Sequence, residues 1–181
     1  NPAVLQALET ALQTLDVGNH HFPSPARAEL AEKLALHTPG DLHYTVYAAG
    51  GGEAVDVAIK SARRFTSRRR IVSIASGYHG RTELSGAAGD DSTARYFASD
   101  YPDEFLKVPF DDLDAMRAAL QGRDVAAVIM ETIPATCGFP VPSDGYLPGV
   151  AGLCREVGTL YIADEVQTGL GRTGYLWGVE A

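Results

Sequence analysis

Four short apolar runs set the limits on how this chain can fold: IVSIA at 71–75, FLKVPF at 105–110, VAAVIM at 125–130 and TLYIA at 159–163. Between them lie stretches with helical spacing. EAVDVAIKSARRF (53–65) puts Val55, Ile59 and Ala62 on one face, and DDLDAMRAALQG (111–122) has acids in its first turn and Gly122 past its end. GYLPGVAGLCREVG (145–158) reads as a third helix, although Pro148 near its start weakens that reading. VAAVIM is apolar without alternation, the pattern of a strand covered on both faces. Strands alternating with helices predict a doubly wound α/β fold, a mostly parallel sheet with helices on both faces. HYTVYAA (43–49) is a further strand candidate.

Ahead of this alternation, Val4, Leu5, Leu8, Leu12 and Leu15 recur at helical spacing, so the opening segment predicts an amphipathic helix. The polar turn VGNHHFPS (17–24) leads to a second helix with Ser24 as N-cap and Pro25 at its first position, and Leu30 and Leu34 facing inward. His20 and His21 have no Cys or His cluster around them, so they read as loop residues rather than metal ligands.

A net charge of −8 over 181 residues argues against a nucleic-acid surface. The one basic run, Arg68 to Arg70, reads as a solvated helix end. No apolar run reaches the length of a membrane span. Cys137 and Cys154 show no metal spacing, and a cytoplasmic location with reduced thiols is expected.

In parallel sheets ligands gather beyond the carboxyl ends of the strands, and there the chemistry-bearing residues collect. Gly50, Gly51 and Gly52 precede a helix, so backbone amides could cradle an anion such as phosphate; a tight turn is the plainer alternative. SGYHGRT (76–82) exposes Tyr78 and His79 between glycines, and an aromatic there could stack on a flat ring. Glu131 follows VAAVIM, and Asp164, Glu165, Val166 and Gln167 follow TLYIA. A carboxylate emerging from a buried strand needs a partner. A cationic ring nitrogen, a core arginine or a metal would each serve. The G-x-G-x-x-G at Gly169, Gly171 and Gly174 is a weak dinucleotide signal, because DEVQT separates it from the strand and no helix opens within it.

The blocks GGEAVDVAIKSAR (51–63), GYHGRT (77–82), VAAVIMETIP (125–134), GYLPGV (145–150) and LYIADEVQTGLGRTG (160–174) occur in an order that resembles the class III aminotransferases, pyridoxal-phosphate enzymes of fold type I. The resemblance covers essentially the whole chain. It implies that Gly51 and Gly52 bind the cofactor phosphate, that Tyr78 stacks on the pyridine ring with His79 beside it, and that Val166 packs on the other face. Asp164 would bond the ring nitrogen, Gln167 would reach the ring hydroxyl, and Glu131 would line the site near cofactor and substrate, which with Asp164 makes up the catalytic pair. The glycines after Asp164 would then belong to a turn.

It further implies amino transfer between an amine or amino acid and a 2-oxo acid, by a ping-pong route through pyridoxamine phosphate, in a homodimer. Racemisation, decarboxylation or elimination on the same scaffold is the alternative reading, and a non-catalytic truncated domain is another.

Two departures stand out. Ala49-Gly50-Gly51-Gly52 lacks the hydroxyl residues usual before Glu-Ala, and IPATCGFP (133–140) replaces the usual glycine-rich loop. Lys33, Lys60 and Lys107 do not match the context of the family's Schiff-base lysine, which the resemblance places beyond residue 181. On this reading residues 1–20 are a helical lead-in and 21–181 part of the cofactor-binding large domain. The chain by itself is expected to be an inactive fragment.

Overall fold

The computed structural model describes residues 1–14, 22–97 and 103–181. His20, His21 and most of the VGNHHFPS turn lie outside the described residues. The chain forms two units, Asn1–Val46 and Tyr47–Ala181.

The first unit holds helices α1 (Pro2–Thr14) and α2 (Pro25–His37). Ser24 caps α2 by accepting a hydrogen bond from the Arg27 amide at 3.4 Å, and Pro25 stands at the first turn as the sequence predicts. The apolar faces are not covered as expected. Val4, Leu5, Leu8 and Leu12 of α1 are exposed, Leu30 is exposed and α2 buries no residue. Helical spacing identifies an apolar stripe but not what covers it.

In the second unit, α3 (Gly51–Thr66) leads into β1 (Arg70–Ile74), then come the short helices α4 (Leu84–Ala88) and α5 (Asp91–Ala94). After β2 (Phe105–Val108) follow α6 (Leu113–Leu120), β3 (Val125–Glu131), α7 (Tyr146–Val157) and β4 (Leu160–Asp164). The four strands run parallel in the order β2-β1-β3-β4.

Every residue of β3 is buried, and alternation along it supplies two cores. Val128 and Met130 pack with Val150, Leu153 and Cys154 of α7 and Met116 and Leu120 of α6. Ala127 and Ile129 pack with Val55, Ile59 and Ala62 of α3. Helices therefore cover both faces, as predicted. Pro148 is tolerated because it is the third residue of α7, where a backbone N–H has no intrahelical acceptor to lose.

Two expectations fail. HYTVYAA is not a strand: residues 43–49 pair with no described strand, and Tyr44 and Val46 are exposed. An alternating pattern forms a strand only where a neighbour completes its ladder. Arg68 to Arg70 are not a solvated helix end either. α3 stops at Thr66 and Ser67 takes the left-handed conformation at φ 55°. Arg68 then turns inward to backbone carbonyls at the amino ends of the strands, while Arg69 stays exposed and Arg70 half-exposed. Among the described residues, no helix is long and apolar enough to cross a membrane.

Candidate active site

The strand order creates a crevice. From β1 the chain moves outward to β2, then returns to the other side of β1 for β3 and β4. The direction of winding reverses between β1 and β3, and a cleft at the carboxyl ends of such strands is where parallel sheets hold ligands. A cavity of about 220 Å³ opens there, lined by Gly51, Gly52, Tyr78, His79, Gly80, Glu131, Asp164, Val166 and Gln167. All eight site residues named from the sequence meet in it, joined by Gly80.

Glu131 and Asp164 are register partners on adjacent strands, so their side chains emerge side by side. Both are buried, and both are held by donors from loops. Asp164 Oδ2 lies 2.7 Å from His79 Nδ1, and Oδ1 accepts from the Val166 amide at 3.1 Å. A carboxylate only accepts, so the imidazole proton facing it sits on Nδ1. His79 is buried and its Nε2 has no hydrogen-bond partner among the described residues. Glu131 Oε1 accepts from the Tyr78 amide at 2.9 Å and Oε2 from the Ala135 amide at 3.2 Å. Glu131 thus ties the Tyr78 loop to the IPATCGFP segment, where Cys137 is pushed up from its ordinary pKa by burial and by Glu131.

Glu165, adjacent to Asp164 in sequence, has a different task. Its carboxylate accepts from Thr168 Oγ1 at 2.6 Å, the Gly178 and Val179 amides at 2.9 and 2.8 Å, and Thr132 Oγ1 at 3.3 Å. It folds the chain after β4 into a compact turn. Gly171 and Gly174 serve that turn with φ of 89° and 96°. No helix opens inside the glycine motif, and the dinucleotide reading ends there.

The glycines of the cavity are close-approach positions. A Cβ on Gly51 would lie 3.1 and 3.2 Å from the Val166 methyls. A Cβ on Gly80 would lie 2.6 Å from Gly52 Cα, in a backbone at φ 119°. α3 begins at Gly51 after the N-cap Gly50, so the amides of its first turn have no intrahelical acceptor and the positive end of its dipole points at the cavity. Glu53 reaches back to the Ala49 amide at 2.7 Å and leaves the glycine amides to the cavity side.

Sequence reasoning passed over Asp56, Thr82 and Ser85. Thr82 Oγ1 donates to Asp56 Oδ2 at 2.6 Å, and the Ser85 amide donates to Oδ1 at 2.7 Å. The hydroxyls of Thr82 and Ser85 flank Gly52, 3.2 and 3.5 Å from where a Cβ would stand. An acid next to the apolar stripe of a helix was the available signal, since a buried charge demands donors.

Pyridoxal phosphate fits these residues. The amide cradle suits its phosphate, the half-buried Tyr78 and the exposed Val166 offer surfaces for a flat ring, and Asp164 offers an anion at the cavity floor.

Comparison with known proteins agrees. The sequence model of the family aminotransferase class-III matches residues 1–181. An uncharacterized aminotransferase of Archaeoglobus fulgidus is 49% identical over 99% of this chain and 42% of its own length. The taurine:2-oxoglutarate aminotransferase of Bifidobacterium kashiwanohense, solved with PLP and glutamate, superposes with TM-score 0.90 at 27% identity, over 99% of this chain and 46% of its own. The ornithine aminotransferase of Toxoplasma gondii gives TM-score 0.84 at 29% identity, over 99% and 44%. The chain therefore spans less than half the length of these relatives, and along its whole length it belongs to the class III aminotransferase family.

Proposed function

We propose that the full-length protein carrying this chain is a pyridoxal-phosphate-dependent aminotransferase that exchanges an amino group between an amine or amino acid and a 2-oxo acid. The observation that carries this reading is the buried Asp164, aimed into a cavity with an amide cradle at its other end. The cofactor supplies an electron sink for the carbanion left when the substrate loses its α-proton.

The protein's part is to hold that sink in its reactive charge state. Asp164 would keep the ring nitrogen protonated, and the His79 Nδ1 proton and the Val166 amide hold the carboxylate in place. Each carboxylate oxygen has a further lone pair, so both contacts leave an acceptor site for the ring nitrogen. Gly51 and Gly52 would bind the phosphate through backbone amides, without the side-chain hydroxyls usual at these positions. Tyr78 and Val166 would sandwich the ring, and Gln167 would reach its hydroxyl. Glu131 acts on the site by position, because its oxygens engage the Tyr78 and Ala135 amides. The same reading expects a homodimer.

The test is an amino-acceptor assay on the full-length protein loaded with pyridoxal phosphate, using a panel of amino donors. Transamination consumes one 2-oxo acid per donor. Donor loss without consumption of any 2-oxo acid would move the protein to lyase, racemase or decarboxylase chemistry, and failure to bind the cofactor would end the proposal.

A further inference from the structure

Asp56 lies on α3, just past the turn that forms the amide cradle, and it is buried. Its partners all come from the segment that follows Tyr78 and His79. Oδ2 accepts from Thr82 Oγ1 at 2.6 Å and from the Glu83 amide at 3.3 Å, while Oδ1 accepts from the Ser85 amide at 2.7 Å. Burial pushes its pKa upward, but the hydrogen bonds outweigh burial and hold it below the ordinary value.

A helix-capping role alone does not account for this arrangement, because α4 is only five residues long. The loop from Gly77 to Thr82 is fastened on its other flank by Glu131 at the Tyr78 amide and by Asp164 at His79. Asp56 supplies the opposite anchor. Between the anchors Gly80 presses on Gly52, with no space for a side chain at position 80.

We propose that Asp56 is a positioning residue that sets the distance between the α3 amide cradle and the Tyr78–His79 loop, so that a ligand carrying both a flat ring and a phosphate is gripped at both ends. The proposal rests on the cofactor reading above. Its physical basis is that a bidentate ligand gains affinity only when both subsites are pre-set at its own length. A lone phosphate needs only one of them.

That asymmetry gives a test independent of turnover. In the full-length protein, pyridoxamine 5'-phosphate reports on both subsites, because it has the ring and the phosphate but lacks the aldehyde, so it forms no Schiff base with a lysine. Inorganic phosphate, competing against it, reports on the cradle alone. Asp56→Asn should weaken pyridoxamine phosphate about tenfold, a typical effect of losing a charge-assisted hydrogen bond. The competition constant of inorganic phosphate should stay within about twofold. Thr82→Val, which keeps the carboxylate and removes one donor, should weaken pyridoxamine phosphate about threefold, and Thr82→Ser should bind as wild type.

Thr82→Val carries the test if Asp56→Asn does not fold. Equal weakening of both ligands would reduce Asp56 to a general fold residue and overturn the proposal. Unchanged pyridoxamine phosphate binding would overturn it as well. If the wild-type protein binds inorganic phosphate but no pyridoxamine phosphate, the cofactor reading itself fails and takes this inference with it.

Discussion

Both ends of the sheet carry charged side chains and use them in opposite ways. At the amino ends, Arg68 donates to the Val125, Gly158 and Val157 carbonyls at 3.2, 2.9 and 3.0 Å. Arg69 pairs with the buried Glu104 at 3.0 Å, where Arg63 also sits at 2.9 Å, and Arg70 pairs with Asp124 at 2.8 Å. Arg68 closes helix and strand ends from within, whereas the Arg69 and Arg70 side chains stay partly in solvent and pair with carboxylates of the scaffold. At the carboxyl ends, Glu131 and Asp164 take donors from loops yet still face a cavity, beside an imidazole nitrogen that finds no partner among the described residues. Charge density does not distinguish a site from a scaffold. Unused bonding capacity facing a concave space does.

The largest expected effect separates the two ends by activity. Asp164→Asn preserves the shape of the side chain and removes its charge, so turnover should fall on the order of 10³-fold or more. The melting transition should move little. Activity near that of wild type would deny the carboxyl-end acid its proposed role, whatever the stability.

Arg68→Met should do the reverse. It takes one donor from each of three carbonyls, of which Val125 keeps Thr159 Oγ1 at 3.0 Å, at a cost of about 3 kcal/mol, read as a lower urea midpoint. Turnover per folded molecule should be unchanged well below that midpoint. A selective loss of turnover would show that the amino end also serves the chemistry.

Gly51→Ala probes the boundary between scaffold and site. The new methyl would meet the Val166 side chain at 3.1–3.2 Å, and Val166 is exposed enough to swing away. Stability should stay within about 1 kcal/mol, while cofactor affinity falls about fivefold because Val166 no longer covers the ring. Unaltered affinity would remove Val166 from the cofactor's surroundings.

Much of this was legible in the sequence, and the failures share a cause. β1, β3, β4, α3 and α7 are readable because each carries its own signal: a continuous apolar run, a stripe at helical spacing, glycine at a terminus. Glu131 and Asp164 were likewise named from strand ends. Gly51 and Gly52 were legible from the helix they open although the strand expected before them is absent, and the roles of Val166 and Gln167 came from the family resemblance alone. HYTVYAA, the Arg68–Arg70 run and Leu30 misled, because their fate depends on partners distant in sequence. Arg68 finds its acceptors at 125, 157 and 158, and no local pattern announces that. Glu165 and Asp164 are neighbours of the same chemical type, and only the turn at 178–179 shows which one is structural. Asp56 was hidden for the same reason, its donors lying some thirty residues downstream.

The smallest effect concerns pH and again belongs to the amino-end half. Cys154, in the last turns of α7, is pushed by burial to about 12 from 9.0. Between those values the unfolded chain has released the thiol proton and the folded chain has not. The folded state then binds more protons, so stability falls as pH rises through that window. Tyr146, raised by burial from 10.0 to about 12, has the same sign. Lys107 has the opposite one: burial lowers it from 10.5 to about 8, so between those values the unfolded state binds the extra proton and stability rises with pH. Tyr161, also raised by burial, adds to the falling side, so the Lys107 contribution offsets the others only in part and wild type should lose stability gently from pH 9 to 10. Cys154→Ala removes one falling contribution, so its stability relative to wild type should improve by about 1 kcal/mol across that unit, in urea titrations at each pH. Pyridoxamine phosphate affinity should not change, because Cys154 lies in the core shared by α6, α7 and the sheet rather than in the cavity. A pH-independent difference between the two proteins would mean that the thiol is not shielded as its packing requires.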